Sequence, residues 1–335
     1  MTYRIWLSMA LLTLGLAMAG CSDDDNGSGG SNGGGSATNN GGGSNGGGSN
    51  GGGSNGGGEE QDGDVFLSEA NATRTYLSLA AGISNCGLYQ EDGHDTVEHS
   101  CGNIWTDEFG GNSEYAYIDS WNVTSCGLRA DNGDLECWGT DVEGDMDNYD
   151  GDMDADFVSI TLGDRNGCGL DADGEIHCFW SLDHWDERPD VADPPSGSFE
   201  RIAGGQTNFC GIRSDDQSIE CWGDDRLEMS DAPSGAFIDL SLGMYGGCAI
   251  RAEENSIACW GRDNDELVVD YPDGQFQAIA YNSIVACALD LEGRPHCWGD
   301  TEDIGQPDVE LREVSTSRGP GVIGIRASDD RVVSW

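Results

Sequence analysis

From about residue 75 to the C-terminus, short apolar segments recur between turns rich in Gly, Asp and Asn. Three strand signals repeat in a fixed order. The first begins with Phe, as in Phe199-Glu200-Arg201-Ile202-Ala203, and is echoed by Phe237-Ile238-Asp239-Leu240, Phe276-Gln277-Ala278-Ile279 and Phe157-Val158-Ser159-Ile160. The second begins at a Cys. The third ends in Cys-Trp-Gly, at 137–139, 221–223, 259–261 and 297–299. Short segments bounded by turn residues read as β-strands, and no helical periodicity of useful length competes. A fourth strand, if present, falls in the variable stretch after each Cys-Trp-Gly.

Twelve of the 13 cysteines fall into six pairs: Cys86/Cys101, Cys126/Cys137, Cys168/Cys178, Cys210/Cys221, Cys248/Cys259 and Cys287/Cys297. Successive first cysteines lie 40, 42, 42, 38 and 39 residues apart. A period near 40 is that of propeller blades. Aligning Cys126-Gly127-Leu128-Arg129-Ala130 with Cys248-Ala249-Ile250-Arg251-Ala252 reveals a seventh repeat, Ile323-Gly324-Ile325-Arg326-Ala327, which runs on to Val333-Ser334-Trp335. Ile323 and Ser334 stand where its two cysteines would be. Both members are missing together, as expected if the two bond within a repeat, since a lone loss would leave an orphan thiol in an oxidising compartment. The local pattern agrees: Cys126 and Cys137 flank Asp131-Asn132-Gly133-Asp134, a hairpin turn signal that brings facing Cβ atoms close. Clustered cysteines can also hold zinc, but these pairs are 10–15 residues apart with no Cys-x-x-Cys, which argues for disulfides.

The unit Phe-x-x-Ile-x-x-Gly, Cys-Gly-Leu, Asp-Gly, Cys-Trp-Gly resembles the regulator-of-chromosome-condensation repeat in its shorter bacterial form. The resemblance covers about 75–335 and implies an all-β, seven-bladed β-propeller with intra-blade disulfides. Two repeats depart from it: Cys101 is followed by Gly102-Asn103 and Cys178 by Phe179-Trp180. The Gly-Gln pair common in the family after Trp-Gly survives only as Gly305-Gln306. The family's eukaryotic role, nucleotide exchange on a small GTPase beside chromatin, does not suit an acidic secreted chain. A related bacterial propeller inhibits β-lactamases, so the resemblance makes inhibition conceivable without naming a target.

The other end of the chain changes the picture. Arg4 precedes an apolar run from Ile5 to Met18, too short and too closely followed by polar sequence to be a spanning helix. Then comes Leu16-Ala17-Met18-Ala19-Gly20-Cys21, which resembles the lipobox of bacterial lipoproteins, with Met18 where the family usually has Leu. The resemblance implies a signal peptide over 1–20, cleavage before Cys21 and a lipid on that cysteine, so that the membrane is reached through the anchor only. Ser22 after Cys21 favours the outer membrane by the family's sorting rule. The expected location is therefore the surface of a bacterial cell envelope. Residues 22–63 are almost entirely Gly, Ser, Asn and Asp, with Gly-Gly-Gly-Ser-Asn units at 41–45, 46–50 and 51–55. Such a stretch cannot offset its ordering entropy by burial and is expected to be a disordered tether, with an end-to-end distance of roughly 30–40 Å. The expected domains are thus 1–20, 21–63 and the propeller, 64–335.

The net charge is −47, and all 15 basic residues are Arg. This excludes nucleic acid and anionic membrane surfaces as partners. It suits solvation in a salty medium, or attraction of cations or of a basic partner. Acids concentrate after Cys-Trp-Gly, for example Asp141, Glu143, Asp145 and Asp147, then Asp183, Asp186, Glu187, Asp190 and Asp193, then Asp224, Asp225, Glu228 and Asp231. Equivalent segments of a propeller lie at equivalent positions, so one acidic rim or face is expected.

No residue is assigned a catalytic role. His177 and His296 each precede the second Cys of a repeat, which marks a structural slot, and no Gly-x-Ser-x-Gly, His-Glu-x-x-His or P-loop occurs. The repeat-matched Trp residues are expected to pack between blades. Trp121, Trp180 and Trp185 are not repeat-matched and are the candidates for an exposed aromatic contact. Asp150, Asp152, Asp154 and Asp156 form a loose candidate for calcium, although Met146 breaks the EF-hand pattern. No other cofactor is expected. The reading is a monomeric, surface-exposed lipoprotein whose propeller binds or scaffolds an extracellular protein or glycan and is not an enzyme. A calcium-binding adhesion or envelope-structural protein is the alternative. A propeller hydrolase or lyase is the third class.

Overall fold

The computed structural model describes residues 74–80, 85–91, 97–102, 114–121, 124–139, 149–153, 155–181, 193–224, 229, 231–262, 267–301, 307–316 and 321–335. Cys21, the leader and the Gly-rich stretch lie outside them, as does Trp185. Seven antiparallel sheets follow one another along the described chain. The first holds β1 (Arg74–Ala80), β2 (Asn85–Glu91) and β3 (Val97–Gly102). The second holds β4 (Tyr115–Trp121), β5 (Thr124–Arg129) and β6 (Leu135–Gly139). In the third, a short strand β7 (Tyr149–Gly151) joins β8 (Phe157–Gly163), β9 (Asn166–Asp171) and β10 (Ile176–Ser181). The fourth is β11 (Phe199–Gly204), β12 (Asn208–Arg213) and β13 (Ile219–Gly223). The fifth is β14 (Phe237–Leu242), β15 (Gly246–Arg251) and β16 (Ile257–Gly261). The sixth is β17 (Phe276–Tyr281), β18 (Val285–Asp290) and β19 (Pro295–Gly299), and the last is β20 (Leu311–Thr316), β21 (Val322–Arg326) and β22 (Val332–Ser334).

The first strands of successive sheets pack on one another in a closed circuit, β1 against β4, β4 against β8, and so on through β11, β14, β17 and β20 back to β1. The chain is therefore a seven-bladed β-propeller whose first strands form the inner wall. The described residues form no single core. Seven hydrophobic clusters each join two adjacent blades. Between the last and first blades, for example, Ile323, Ile325 and Val332 bury Leu79 and Tyr89. A blade is apolar on both faces and can bury them only against two neighbours, which is why the ring must close.

Three repeated devices fix the blades. Every first strand carries a β-bulge near its start, as between Phe199 and Arg201 or Phe237 and Asp239. The extra residue turns outward, and Leu77 and Val158 are exposed for this reason. Just before the bulge, the opening aromatic lies over the residue that follows the first Cys, as Phe157, Phe199 and Tyr115 do. A Cβ on Gly169 would stand 2.3 Å from the Phe157 ring, and one on Gly127 2.6 Å from Tyr115. Glycine after the first Cys thus leaves room for the ring in these blades, while Ala249 and Ala288 take the same position in the fifth and sixth. Lastly, the hairpin between second and third strands holds a left-handed residue (Gly174, Gln217, Asn255 or Gly293). Its carbonyl accepts the N–H of the first residue of the next blade, Phe199, Phe237, Phe276 or Leu311, at 2.7–2.9 Å.

Disulfides close Cys126–Cys137, Cys168–Cys178, Cys210–Cys221, Cys248–Cys259 and Cys287–Cys297, each between directly opposed residues of the second and third strands. Cys86 is disulfide-bonded and Cys101 stands opposite it. Ile323 and Ser334 occupy the same opposed positions in the last blade. A fourth strand lies, as expected, in the variable stretch after Cys-Trp-Gly of the second repeat. β7 follows the second repeat in sequence but pairs with β10, so the variable stretch after one blade supplies the outer edge of the next.

Candidate functional site

The inner wall carries the most unusual chemistry of the described residues. Each first strand pairs with its second strand on one side only, so its inner edge holds N–H groups without a ladder partner. Side chains of the preceding blade accept them. Asp119 Oδ2 accepts from Leu162 N at 2.8 Å, Asp239 Oδ2 from Ile279 N at 3.0 Å and Ser241 Oγ from Tyr281 N at 3.0 Å. At the ring-closing seam Glu313 Oε1 accepts from Leu79 N at 2.7 Å. Buried N–H groups must find acceptors, and these side chains are the available ones.

Burial makes the carboxyls reluctant to ionise. It raises Asp119 to about 8, against the opposing hydrogen bonds from Leu162 and Ser120. It raises Glu313 to about 7, with the Leu79 N–H and Arg312 opposing. Asp239 is also raised by burial, although Arg201 lies 3.0 Å away and favours its charge. Tyr117 is raised by burial and by the fields of Asp119 and Glu313, with Arg201 opposing. Burial thus holds Asp119, Asp239 and Glu313 above the usual carboxylate range. These groups were not singled out in the sequence. Their only signal is an acid inside a first-strand run, as in Ile118-Asp119-Ser120 and Ile238-Asp239-Leu240, and not in a turn.

A second repeated arrangement lies at the hairpin end of the blades. The last residue of the second strand meets the residue before the second Cys, and in the second, third, fourth and sixth blades the two are of complementary charge. Arg129 meets Glu136 at 2.9 Å and Arg213 meets Glu220 at 2.6 Å. In the third and sixth blades the signs are exchanged, an Asp at the end of the second strand meeting a histidine: His177 Nε2 is 3.0 Å from Asp171 Oδ2, and His296 Nε2 is 3.2 Å from Asp290 Oδ2. The opening aromatic forms the floor. Arg213 and Arg251 lie over Phe199 and Phe237, and His177 and His296 meet Phe157 and Phe276 edge-on. The two histidines thus fill the structural slot that their position implied. His177 is held further by Asp152, whose Oδ2 lies 2.8 Å from Nδ1. Burial opposes a charge on the His177 ring, but Asp171 and Asp152 outweigh it and raise its pKa.

The remaining expected site residues are distributed as follows. Trp121 and Trp180 are 3% and 7% exposed, so neither offers an aromatic surface to a partner; the expectation of exposure is corrected. Trp121 packs with Leu128, Phe157 and Leu162 between the second and third blades. It was misread because a residue outside the repeat pattern can still fall on the buried face of a first strand. The repeat-matched Trp residues do pack between elements. Trp260 and Trp298 donate Nε1–H to the carbonyls of Met229 and Leu267, at 3.0 and 2.9 Å, and so pin the preceding connector. Asp150 and Asp156 are exposed, Asp150 Oδ1 accepts from Gly151 N, and Asp152 is engaged by His177. Asp154 lies outside the described residues, as do Asp141, Glu143, Asp145, Asp147, Asp183, Asp186, Glu187, Asp190, Asp225 and Glu228 of the expected acidic rim.

The fold is similar to that of several solved structures. The entire ectodomain of the receptor kinase CR4 from Physcomitrella patens is 18% identical with a TM-score of 0.62, covering 78% of this chain and 73% of that one. The CRINKLY WD40 ectodomain of the receptor kinase ACR4 from Arabidopsis thaliana is 18% identical with a TM-score of 0.61, covering 78% and 95%. Prp20p from Saccharomyces cerevisiae, the yeast RCC1, is 15% identical with a TM-score of 0.53, covering 76% and 83%. At these identities the likeness concerns the fold, which is an RCC1-like propeller as the repeats implied. No family model and no curated protein matches the chain.

Proposed function

We propose that this chain is a non-enzymatic binding module: a propeller that captures a protein partner through blade-specific loops, held at the outer surface of a bacterial envelope by a lipid on Cys21 and the Gly-rich stretch after it. One observation carries the reading. The repeated positions are used up in holding blades together, through bridges, connector-pinning Trp residues, charge-paired slots and the inner-wall acceptors. What differs from blade to blade is the connectors, from 182–198 in one place to 300–310 in another. A rigid frame with variable loops is the economy of a recognition scaffold. Prp20p, with the same architecture, is described for its binding to Gsp1p and histones, and Kap60 binds yeast RCC1. The charge of −47 favours a basic surface on the partner.

The anchor and the binding are tested separately. Mass spectrometry of the mature N-terminus should find an acylated Cys21, with Cys21→Ser released in soluble form. Surface biotinylation of intact cells should label the chain. Crosslinking in living cells should then capture a protein that is lost when connector 182–198 is exchanged for connector 300–310. Retention of every crosslink after that exchange, or capture of glycan alone, would overturn the protein-binding reading.

A further inference from the structure

The third and sixth blades carry the same hairpin with one decisive difference. The sequences are Asp171-Ala172-Asp173-Gly174-Glu175-Ile176-His177 and Asp290-Leu291-Glu292-Gly293-Arg294-Pro295-His296. In both, the Asp Oδ1 accepts two turn N–H groups, from Asp173 and Glu175 or from Glu292 and Arg294, at 2.8–3.0 Å. In both, the Asp Oδ2 faces the histidine Nε2. In the sixth blade the position between them is Arg294, whose guanidinium lies 3.8 Å from Asp290 Oδ2 and supplies a built-in cation. In the third blade that position is Glu175. The cation is replaced by a third potential ligand, and the donor atoms of Asp171, Glu175 and His177 lie within 4.8 Å of one another.

A second feature comes from a different segment. Asp152, just past β7, has its Oδ2 2.8 Å from His177 Nδ1. A carboxylate on the far nitrogen of a histidine is what orients an imidazole ligand toward a metal and raises its basicity. The sixth blade shows no such contact for His296 among the interactions of the described residues. The third blade has both an oriented imidazole and two carboxylate oxygens, one of them locked by the turn.

We propose that the third blade binds a divalent transition ion of the zinc class through His177 Nε2, Asp171 Oδ2 and the carboxylate of Glu175, with Asp152 orienting the histidine. One nitrogen and two oxygen donors suit zinc, whereas an imidazole is a poor ligand for calcium. Glu175 is exposed and Asp171 and His177 are half-buried, so the outer coordination positions are open to water or to a donor from a partner. The alternative is that His177 simply bridges two carboxylates as an ion pair.

Zinc titration of the purified full-length chain in detergent, with excess calcium to occupy the general acidic surface, decides between them. Three single variants accompany the wild type: Glu175→Arg, His177→Gln and Asp152→Asn. The first copies the sixth blade, which folds with Arg294 in that place, so loss of zinc there reports the site and not the fold. The expected result is one calcium-resistant zinc equivalent, absent from Glu175→Arg and His177→Gln. Asp152→Asn should weaken it by about 10- to 100-fold. Cobalt in place of zinc should show visible absorption bands that vanish in His177→Gln. Equal zinc affinity in Glu175→Arg and wild type, or no calcium-resistant equivalent at all, would overturn the site.

Discussion

The last blade is the natural place to test the disulfide logic, because it lacks a bridge that its geometry can hold. Ile323 and Ser334 stand directly opposite on β21 and β22, in the register that Cys248 and Cys259 occupy two blades earlier. There the Cα atoms are 4.0 Å apart and the cysteines are separated by 11 residues. The double variant Ile323→Cys/Ser334→Cys would close a loop of the same length. Loop-closure entropy for such a loop contributes about 3 kcal/mol. Against it stands the loss of a buried side chain, since Ile323 is 3% exposed and packs with Leu79 and Val332. Trimming Ile to Cys costs on the order of 1–1.5 kcal/mol. The net gain over wild type is then about 1–2 kcal/mol. Measured against Ile323→Cys alone, which carries the same loss without the bridge, the gain is about 3 kcal/mol. An unfolding entropy of about 0.5 kcal/mol per degree for a domain of this size turns that into a Tm rise of about 5–6 °C. Intact mass under non-reducing conditions reports bridge formation, and calorimetry reports Tm. A free pair of thiols would show that the opposed register is wrong. A formed bridge with no rise over the single variant would refute the entropy argument.

Three further outcomes follow from the inner wall and the connectors. Asp119 holds its proton to about pH 8 in the folded chain but only to about 4 when unfolded. Its contribution to stability is therefore complete below pH 4 and is lost as pH rises through 8, and Glu313 acts in the same sense up to about pH 7. Asp119→Asn should flatten the fall of denaturant stability between pH 5 and 8 by about 1.4 kcal/mol per pH unit, and an unchanged slope would contradict the burial of that proton. Arg201→Met removes the cation 3.0 Å from buried Asp239 and should cost about 3–5 kcal/mol at pH 8 in urea unfolding, with part regained in the double variant Arg201→Met/Asp239→Leu. Trp260→Phe keeps the ring volume roughly but loses the Nε1–H bond to Met229. It should cost about 1–2 kcal/mol and expose the connector around 229 to faster hydrogen exchange, while equal exchange would show that the bond does not pin it.

The sequence by itself determined what is local and repeated. Period-two segments, hairpin turns and cysteines 10 or 11 residues apart depend on neighbours within one hairpin, so the strands, the bridges and the count of seven could be read directly. The paired loss at Ile323 and Ser334 worked for the same reason. The slot for His177 and His296 was visible as position, though its partners were not. Tertiary structure decided everything that passes between blades. Packing of the second blade on the third buries Trp121, where its lack of a repeat match suggested a surface contact. The connector after one repeat crosses to the next, which carries β7 to β10 and brings Asp152 to His177. Asp119, Asp239 and Glu313 look like any of the 62 acids in the chain until the ring closes. Only then do the unpaired N–H groups of one blade meet the side chains of the last, and a carboxyl that water would have ionised becomes a buried acceptor.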